Sequence, residues 1–442
     1  MERKSKSTSR GDGSSATRNV ILTEHDMRSS HYNASPAVLE WTSADGRVVQ
    51  SRSTSTSTWQ LGHFGQTIRR ELFDMFLPFG YPDSVSHEYL TFQLWDTCQA
   101  MCSYLRGVLA TQSVLESVGV GKDTVTPLAA AIQWVMRDGS GMLGGLFFAY
   151  LVGPKFDANV KFWRLYADVI NDFGLTLDML APFFPLYVTE ILCISSVCKA
   201  MCGVAAGATR SSLTAHFAKH DNMADIAAKE GSQETFVNMC GLLCGMYFAN
   251  AVNHSRHSVW LAFVCLTAFH VVANYKATLS NAVTALCIPT LNLQRAFLAI
   301  QRFRLGAKQS MSVVSINKAE VIWGSKLSIA MGHKLPSELP LGSLLALYRD
   351  EQYLLHRNPS SGVVHIYLSL HAQPMDELRA FYHATILVQN TATDNNDDVV
   401  TALAHMQQEF PAFVDALKLH EWKLTHMPLG AGYVRYDWKD GA

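Results

Sequence analysis

The sequence predicts a mainly α-helical protein: a polytopic helical membrane core with an internal duplication, plus a small C-terminal α+β domain. Charge gives the first observation, because only 17% of the 442 residues are charged, against about 25% in typical soluble domains. The deficit is local, since the sixty residues from Thr235 to Gln294 contain two charges, Arg256 and Lys276. The third observation is that short motifs recur about one hundred residues apart.

The overall charge and the cysteines exclude several classes of protein. A formal net charge of −1 excludes a generally basic nucleic-acid binder and an acidic disordered tail protein. We therefore expect no nucleic-acid partner. Nine cysteines, an odd number in a long chain, lack the dense pairing of a secreted disulfide scaffold and fit a reducing compartment better.

Residues 1–66 are predicted to be a disordered, low-complexity segment with one hairpin. The first twenty residues are basic and rich in Ser and Thr, without the apolar run of a signal peptide. Ser51 to Thr58 reads SRSTSTST, which is low complexity and forms no packed core. Between these segments, VLEW and RVVQ flank Ser43-Ala44-Asp45-Gly46, a pattern typical of a hairpin turn.

Residues 67–305 are predicted to be the duplicated helical domain. Arg256 and Lys276 divide the low-charge stretch into uncharged runs of 21, 19 and 18 residues, namely Thr235 to Ser255, His257 to Tyr275 and Ala277 to Gln294. Each run is close to the ~20 residues that a helix needs to cross a bilayer. The alternative is a large soluble all-α protein whose buried helices are apolar all round, because the runs also carry Asn, His and Thr.

The duplication rests on motifs that recur in the same order at offsets of 100, 98 and 92 residues. The pairs are Cys98–Cys102 with Cys198–Cys202, Ala110–Leu115 with Ala208–Leu213, and Asp138–Ser140 with Glu230–Ser232. They predict two tandem units, 88–180 and 188–285. If each unit crosses the membrane an odd number of times, the second copy is inverted, as in many transporters; an even number leaves the copies parallel.

Glycine spacing predicts close helix packing within both units. The GxxxG pairs are Gly141/Gly145, Gly203/Gly207 and Gly241/Gly245. Cysteines also recur at i, i+4, as Cys98/Cys102, Cys198/Cys202 and Cys240/Cys244. Because no second pair lies at the spacing of a zinc knuckle, and because Cys is a common small buried hydrophobe, we predict no metal site.

Ionisable and amide side chains inside otherwise apolar helices are the candidate ligand-binding residues, because such groups in a membrane span usually pair or line a polar path. The candidates are Asp96, Asp168, Asn171, Asp172, Arg210, Asn222, Asp225, His270 and Asn274. Asp168, Asn171 and Asp172 share one helix face at i, i+3 and i+4. Two interpretations stay open: a polar binding site between the repeats, or a set of interhelical salt bridges.

The chain carries no recognisable enzymatic motif. GxSxG and a P-loop are missing from the sequence. We therefore predict no catalytic residues and no enzymatic activity.

The C-terminal part is predicted to follow a linker at 306–343 and to form an α+β domain over 344–442. Alternating patterns predict strands at Tyr353 to His356 and Val363 to Leu370, and a closing strand at Gly432 to Trp438. Helical patterns cover Met375 to Gln389 and Val400 to Trp422.

Several motifs together resemble the root UV-B sensitive family. They include Leu77–Ser86 (LPFGYPDSVS), Tyr89–Asp96 (YLTFQLWD), Asp138–Gly144 (DGSGMLG), Trp163–Asp172 (WRLYADVIND), Gly207–Arg210 (GATR), Asn222–Asp225 (NMAD), Gly231–Thr235 (GSQET) and His270–Tyr275 (HVVANY). The resemblance runs in order from about Phe73 to Phe303, and more weakly through the C-terminal domain to Tyr436-Asp-Trp438.

The resemblance implies a eukaryotic membrane protein linked to vitamin B6 homeostasis and UV-B or light-stress responses. We expect a non-enzymatic protein that acts through ligand binding or protein interaction; the alternative is a transporter of a small, vitamer-like molecule with a polar site at the repeat interface. Expected partners are a lipid membrane, a homo- or hetero-oligomer with family members, and a small-molecule ligand. No cofactor is expected. Pyridoxal phosphate or a related vitamer is considered only as a ligand, because Lys199, Lys229 and Lys276 lack a phosphate-binding turn for Schiff-base chemistry.

Overall fold

The computed structural model describes residues 19–24, 37–44, 47–52, 61–119, 126–279, 286–322, 327–336, 339–389, 396–430, 432 and 434–438. These residues form two compact units, Met1–Val85 and Ser86–Ala442. The predicted disordered tail at 1–18, and residues 53–58 of the predicted low-complexity stretch, lie outside the described residues.

The first unit contains a three-stranded antiparallel sheet and one helix. Its strands are β1 (Asn19–Glu24), β2 (Ala37–Ala44) and β3 (Arg47–Arg52), in that spatial order, and its helix is α1 (Leu61–Phe76). β2 and β3 pair with Ala44 opposite Arg47, at the point where the sequence predicts a hairpin. β1 adds a strand that the sequence pattern does not predict.

Six helices form the core of the second unit. They are α2 (Tyr89–Val118), α3 (Pro127–Val152), α4 (Val160–Leu180), α5 (Val188–Phe217), α6 (Met223–Val252) and α7 (Arg256–Leu279). Local chemistry marks their ends. Gly119, with φ at 83°, ends α2 in the left-handed region, and the Thr126 hydroxyl accepts from the Ala129 amide ahead of Pro127 at the start of α3.

Contacts between side chains fix the directions of these helices. α6 runs parallel to α2, because Gln93 contacts Glu230 and Gln112 contacts Asn253. α4 also runs parallel to α2, because Arg106 contacts Asp172 and Ser113 contacts Met179. α7 runs opposite to α2, as Ser103 meets His270 and Glu116 meets Arg256. α5 runs opposite to α4 and α6, and α3 lies parallel to α5. The six helices therefore alternate in direction along the chain.

The first three helices interlock with the last three. α2 packs mainly against α6 and α7, and α5 packs mainly against α3 and α4. Because the six helices alternate in direction, α2, α3 and α4 run opposite to α5, α6 and α7, respectively.

Two of the three predicted glycine pairs mediate close helix approach. A Cβ at Gly141 would lie 2.4 Å from Ser196 Oγ on α5, and one at Gly241 would lie 2.6 Å from the Tyr104 ring on α2. Gly145 and Gly245 face α5 and α2 in the same way. Gly203 and Gly207 show no such approach, because no described atom outside their own helical turn lies within 4 Å of the position of a Cβ at either residue.

Three segments in the described part of the chain are long and apolar enough to cross a membrane, by length and composition. They are Pro185–Phe217, Met223–Val252 and Arg256–Ala277, and only 22%, 17% and 22% of their apolar windows are buried. The predicted third run, Ala277 to Gln294, is wrong as a span. α7 ends at Leu279, and beyond 280–285 the chain is non-helical from Leu286 until α8 begins at Leu293, with Leu286 and Leu291 buried.

The C-terminal domain packs helices around a small mixed sheet. Its elements are α8 (Leu293–Arg304), α9 (Val313–Ala319), β4 (Ile329–Met331), α10 (Leu341–Leu347), β5 (Tyr353–Arg357), β6 (Val364–Leu368), α11 (Pro374–Gln389) and α12 (Asn396–Leu419). β6 lies between β4, to which it is parallel, and β5, to which it is antiparallel. The structure thus confirms a mainly helical chain with a small mixed sheet.

The predicted linker and closing strand differ from the structure. Residues 306–343 contain α9, β4 and the first residues of α10, and Met311, Ile316 and Ile329 belong to the apolar core of the C-terminal domain. Short elements with few apolar residues give weak periodicity, which explains why they look like a linker. In place of the predicted closing strand, the described residues form a single bridge between Tyr436 and Ser369.

A buried ionic network joins the first turn of α4 to the beginning of the C-terminal domain, at α8 and the end of α9. Lys161 Nζ donates to Glu320 Oε2 at 2.9 Å and to Asn317 Oδ1 at 2.8 Å. Arg295 Nε lies 3.6 Å from Glu320 Oε1, which also accepts from Asn292 at 2.8 Å. The side chains of Lys161, Glu320 and Arg295 are only 6%, 7% and 1% exposed.

Candidate functional site

A cavity of about 910 Å³ lies between α2, α4, α5 and α6. Its wall follows α2 from Phe92 to Leu115, which at 1.5 Å per residue is roughly 35 Å. This length is close to the ~30 Å hydrocarbon core of a bilayer. Polar and charged side chains from all four helices face the cavity.

The nine predicted site residues fall into three groups. Asp96, Asp168, Asn171 and Arg210 line the cavity. Asp172, His270 and Asn274 are buried, with exposures of 8%, 0% and 1%, and do not line it. Asn222 and Asp225 lie at the start of α6, also outside the lining.

Both arginines of the cavity wall are paired with carboxylates. Arg164 Nη2 donates to Asp96 Oδ1, and Arg210 Nη2 lies 2.9 Å from Glu234 Oε2. Glu230 accepts hydrogen bonds from two neutral groups, Gln93 at 3.1 Å and Thr214 at 3.2 Å, and is also attracted by Arg210. The predicted salt-bridge interpretation therefore holds for part of the set.

Asp168 is the exception on the cavity wall. Its Oδ2 is buried and no described residue makes a hydrogen bond of good geometry to that atom, although Gln99 and Arg164 lie close enough to interact with the carboxylate. The lining holds four carboxylates, on Asp96, Asp168, Glu230 and Glu234, but only two guanidinium groups. This balance favours a neutral or cationic ligand that donates hydrogen bonds, and disfavours an anion.

Asp172 and His270 belong to a buried cluster behind the cavity. His270 Nδ1 lies 3.2 Å from Asp172 Oδ2, and His270 Nε2 lies 3.0 Å from Ser103 Oγ. Arg106 donates through Nη1 to Asp172 Oδ1 and through Nη2 to Ser103 Oγ at 3.2 Å. Ser103 also lines the cavity, so the cluster reaches the wall at one side chain.

Sequence reasoning missed Ser103, Arg106, Glu230 and Glu234. Arg106 carried a usable signal, because it is a charged residue inside an otherwise apolar helix, and Glu230 stands in one of the repeated motifs. Ser103 carried none, since a serine in a helix is common. Its importance comes from His270, which is 167 positions away.

The described residues contain neither a disulfide nor a metal-binding cluster. All nine cysteines are free thiols. Within the described ranges, no group of three or more His, Cys, Asp or Glu side chains is arranged to hold a metal ion.

Comparison with known proteins gives matches along most of the chain. Residues 64–305 match the model of the vitamin B6 photo-protection and homoeostasis domain, and residues 309–438 match that of the root UVB sensitive protein C-terminal domain. No solved structure matches.

Several curated proteins are similar to this chain. The protein root UVB sensitive 3 of Arabidopsis thaliana is 33% identical over 414 residues, covering 88% of this chain and 92% of its own length. RUS family member 1 of Dictyostelium discoideum is 40% identical over 269 residues, covering 60% of this chain and 50% of its own length. The protein root UVB sensitive 2, chloroplastic, of Arabidopsis thaliana is 27% identical, covering 84% and 86%. With both domain models matched in order, this chain belongs to the root UVB sensitive family.

Proposed function

We propose that this chain is a non-enzymatic membrane protein of vitamin B6 homeostasis, whose six-helix core binds and carries a small, polar, vitamer-like molecule. The observation that carries the proposal is the elongated polar cavity between α2, α4, α5 and α6. A scaffold that acts only through protein partners would have its internal polar groups paired off and no cavity. A carrier needs both a cavity and unsatisfied polar groups within it.

The outward face of the helices supports a membrane location. Large apolar side chains are highly exposed on α3 (Val135, Leu146 and Tyr150, at 72%, 70% and 80%), on α6 (Leu242, Met246 and Tyr247, at 61%, 63% and 75%) and on α7 (Leu261, at 66%). Arg106, Asp172 and His270 are buried instead. A soluble protein rarely exposes so much apolar surface, whereas a bilayer favours apolar side chains outside and ionisable ones inside.

The arrangement of helices supports an inverted duplication. α2–α4 and α5–α7 each hold three helices, their glycine-rich helices α3 and α6 pack closely on α5 and α2, and corresponding helices run in opposite directions. Three helices per unit is the odd number that inverts the second copy. Carriers built this way place their site where the two repeats meet, and the cavity wall draws on both sets of helices.

The charge of the cavity wall favours an unphosphorylated vitamer as the ligand. The excess of carboxylates on the wall disfavours a phosphate group, while Asp168 Oδ2, to which no described residue donates with good geometry, suits a donor such as a protonated pyridine nitrogen. The link to vitamin B6 comes from the family domain that residues 64–305 match. We therefore propose pyridoxine or pyridoxamine, in preference to pyridoxal phosphate.

Two experiments test the proposal in order. After carbonate extraction, the protein should stay in the membrane pellet; recovery in the soluble fraction would contradict the membrane location. The purified protein in liposomes should then take up tritiated pyridoxine, and a phosphorylated vitamer should compete poorly.

The site itself is tested by Asp168→Asn, which should abolish pyridoxine uptake while the protein stays folded. Asp157→Asn is the matched control, because Asp157 is exposed and lies outside the cavity. Unchanged uptake by Asp168→Asn would refute the assignment of the site.

A further inference from the structure

The buried cluster joins the cavity wall to α7 through a closed ring of hydrogen bonds. Ser103 and Arg106 come from α2, Asp172 from α4 and His270 from α7. Arg106 and His270 are fully buried. Arg106 Nη1 also lies 3.4 Å from Thr267 Oγ1, one turn before His270 on α7.

The ring is complete when His270 is uncharged. With its hydrogen on Nδ1, His270 donates to Asp172, and its Nε2 accepts from the Ser103 hydroxyl, whose oxygen accepts from Arg106. Asp172 receives from both Arg106 and His270. One guanidinium and one carboxylate balance each other, so the neutral ring buries no net charge.

A proton added to His270 changes what Ser103 presents to the cavity. Nε2 then carries a hydrogen and donates to Ser103 Oγ, which has two lone pairs and still accepts from Arg106. The hydroxyl hydrogen is displaced and turns into the cavity that Ser103 lines. Proton binding therefore supplies a donor to a bound molecule, and by reciprocity an acceptor atom on that molecule favours the protonated ring.

We propose that His270 is the proton-binding site of a proton-coupled carrier, and that Ser103 links its protonation to the ligand in the cavity. The inference rests on the proposed function. One proton enters from water in the cavity, forms the Nε2–H bond and leaves to water on the other side of the membrane; no other covalent bond changes.

The surrounding charges fit this role. The charged groups that the described residues place around His270 are Arg106 on α2 and Asp168 and Asp172 on α4, and Arg164 of α4 lies close to Asp168. Asp172 lies 3.2 Å from the imidazole ring and Asp168 also attracts it, so an imidazolium cation is offset by negative charge. The three helices that form the ring come from both halves of the core, whose relative movement exposes the site of a carrier to each side in turn.

The same three side chains have the order of a catalytic Ser-His-Asp triad, and hydrolysis is the rival explanation. Two structural features disfavour hydrolysis. Asp172 is already paired with Arg106, and Ser103 lies inside α2, where backbone amides are engaged in the helix and provide no oxyanion hole.

The test uses the full chain in liposomes with tritiated pyridoxine and an inward proton gradient of one pH unit. For one proton per neutral ligand, this gradient supports up to about tenfold accumulation, and a protonophore should abolish it. His270→Gln and Ser103→Ala should both lose the accumulation. His270→Gln, which lies outside the cavity lining, should keep pyridoxine exchange at equal pH, whereas Ser103→Ala removes a lining hydroxyl and should exchange more slowly. His257→Gln and Ser113→Ala are matched controls on α7 and α2, outside the ring, and should behave as the unchanged protein.

The outcomes separate the coupling from the proposed function. The proton coupling is overturned, and the carrier proposal kept, if His270→Gln or Ser103→Ala still accumulates pyridoxine. The same conclusion follows if the unchanged protein exchanges pyridoxine without a response to the proton gradient. Failure of both binding and exchange overturns the proposed function and the coupling with it. Covalent labelling of Ser103 by a fluorophosphonate would overturn the coupling in favour of hydrolysis. A further supporting result needs no gradient. The purified protein should take up protons when pyridoxine is added, and both variants should lose this uptake.

Discussion

Glu320→Gln should be among the most destabilising single changes outside the helical core. The network around Glu320 holds two buried cations, Lys161 and Arg295, and one anion. Removing the anion leaves both cations uncompensated, and breaking a buried pair in this way costs about 3 to 5 kcal/mol of unfolding free energy. Removing a cation is different. Arg295→Met leaves a balanced pair of Lys161 and Glu320 and loses one buried hydrogen bond to the Ile288 carbonyl, which costs about 1 to 3 kcal/mol.

The assay is denaturant unfolding of the full chain in detergent, followed by tryptophan fluorescence. Asp415→Asn is the control, because Asp415 and its partner Lys418 are 78% and 64% exposed and such a surface pair contributes about 1 kcal/mol or less. A larger loss for Arg295→Met than for Glu320→Gln would refute the charge argument. So would a Glu320→Gln variant as stable as the control.

The Glu320 network also has a pH signature. Burial raises the pKa of Glu320, but Arg295 and Lys161 outweigh burial and hold it below its ordinary value of 4.5. The stabilisation is therefore complete above the unfolded pKa and is lost as pH falls through the lower folded pKa. The stability difference between the unchanged protein and Glu320→Gln should shrink only in acid below about pH 4.5.

Three further predictions concern packing, a buried histidine and the close turn at Gly432. Gly141→Leu should lower the melting temperature in detergent because its Cβ meets Ser196, whereas Gly203→Ala, in open space, should be neutral or raise the unfolding free energy by up to about 1 kcal/mol. Burial lowers the pKa of His383 to about 3, so the free energy of unfolding is highest above about pH 6.5 and falls by about 2 kcal/mol by pH 5. His383→Leu should remove this fall. A variant whose free energy of unfolding, measured by denaturant titration, still falls by the same amount between about pH 6.5 and about pH 5 would contradict the prediction. Gly432→Ala should destabilise the C-terminal domain in the same titrations, because φ is +67° and its Cβ would lie 2.9 Å from Gly332 Cα.

The sequence predicted elements well where one residue property decides the structure. Two uncharged runs became most of α6 and α7, because a helix surrounded by apolar material excludes charge along its whole length. The third run failed because low charge does not distinguish a membrane span from the core of a soluble domain. Leu286 and Leu291 are buried, Leu291 in the core of the C-terminal domain.

The site was predictable to the level of a helix face and no further. Asp168 and Asp172 share a face at i, i+4, yet Asp168 lines the cavity and Asp172 pairs with Arg106 behind it. Four residues at 3.6 per turn differ in direction by roughly 40°, which is enough to place them on opposite sides of a wall. That choice depends on neighbouring helices, and a single helix pattern carries no information about them.

The interlocking of the two halves has a consequence for how the chain is made. During synthesis, the contact between Arg106 on α2 and Asp172 on α4 becomes possible after 66 further residues. The contact between Ser103 and His270 becomes possible only after 167 further residues. At 5–20 residues per second of synthesis, the wait is roughly 8 to 33 seconds. During that interval the side of α2 that α6 and α7 will cover lacks its final packing partners. The chain is therefore most accessible to chaperones and proteases before α7 is made.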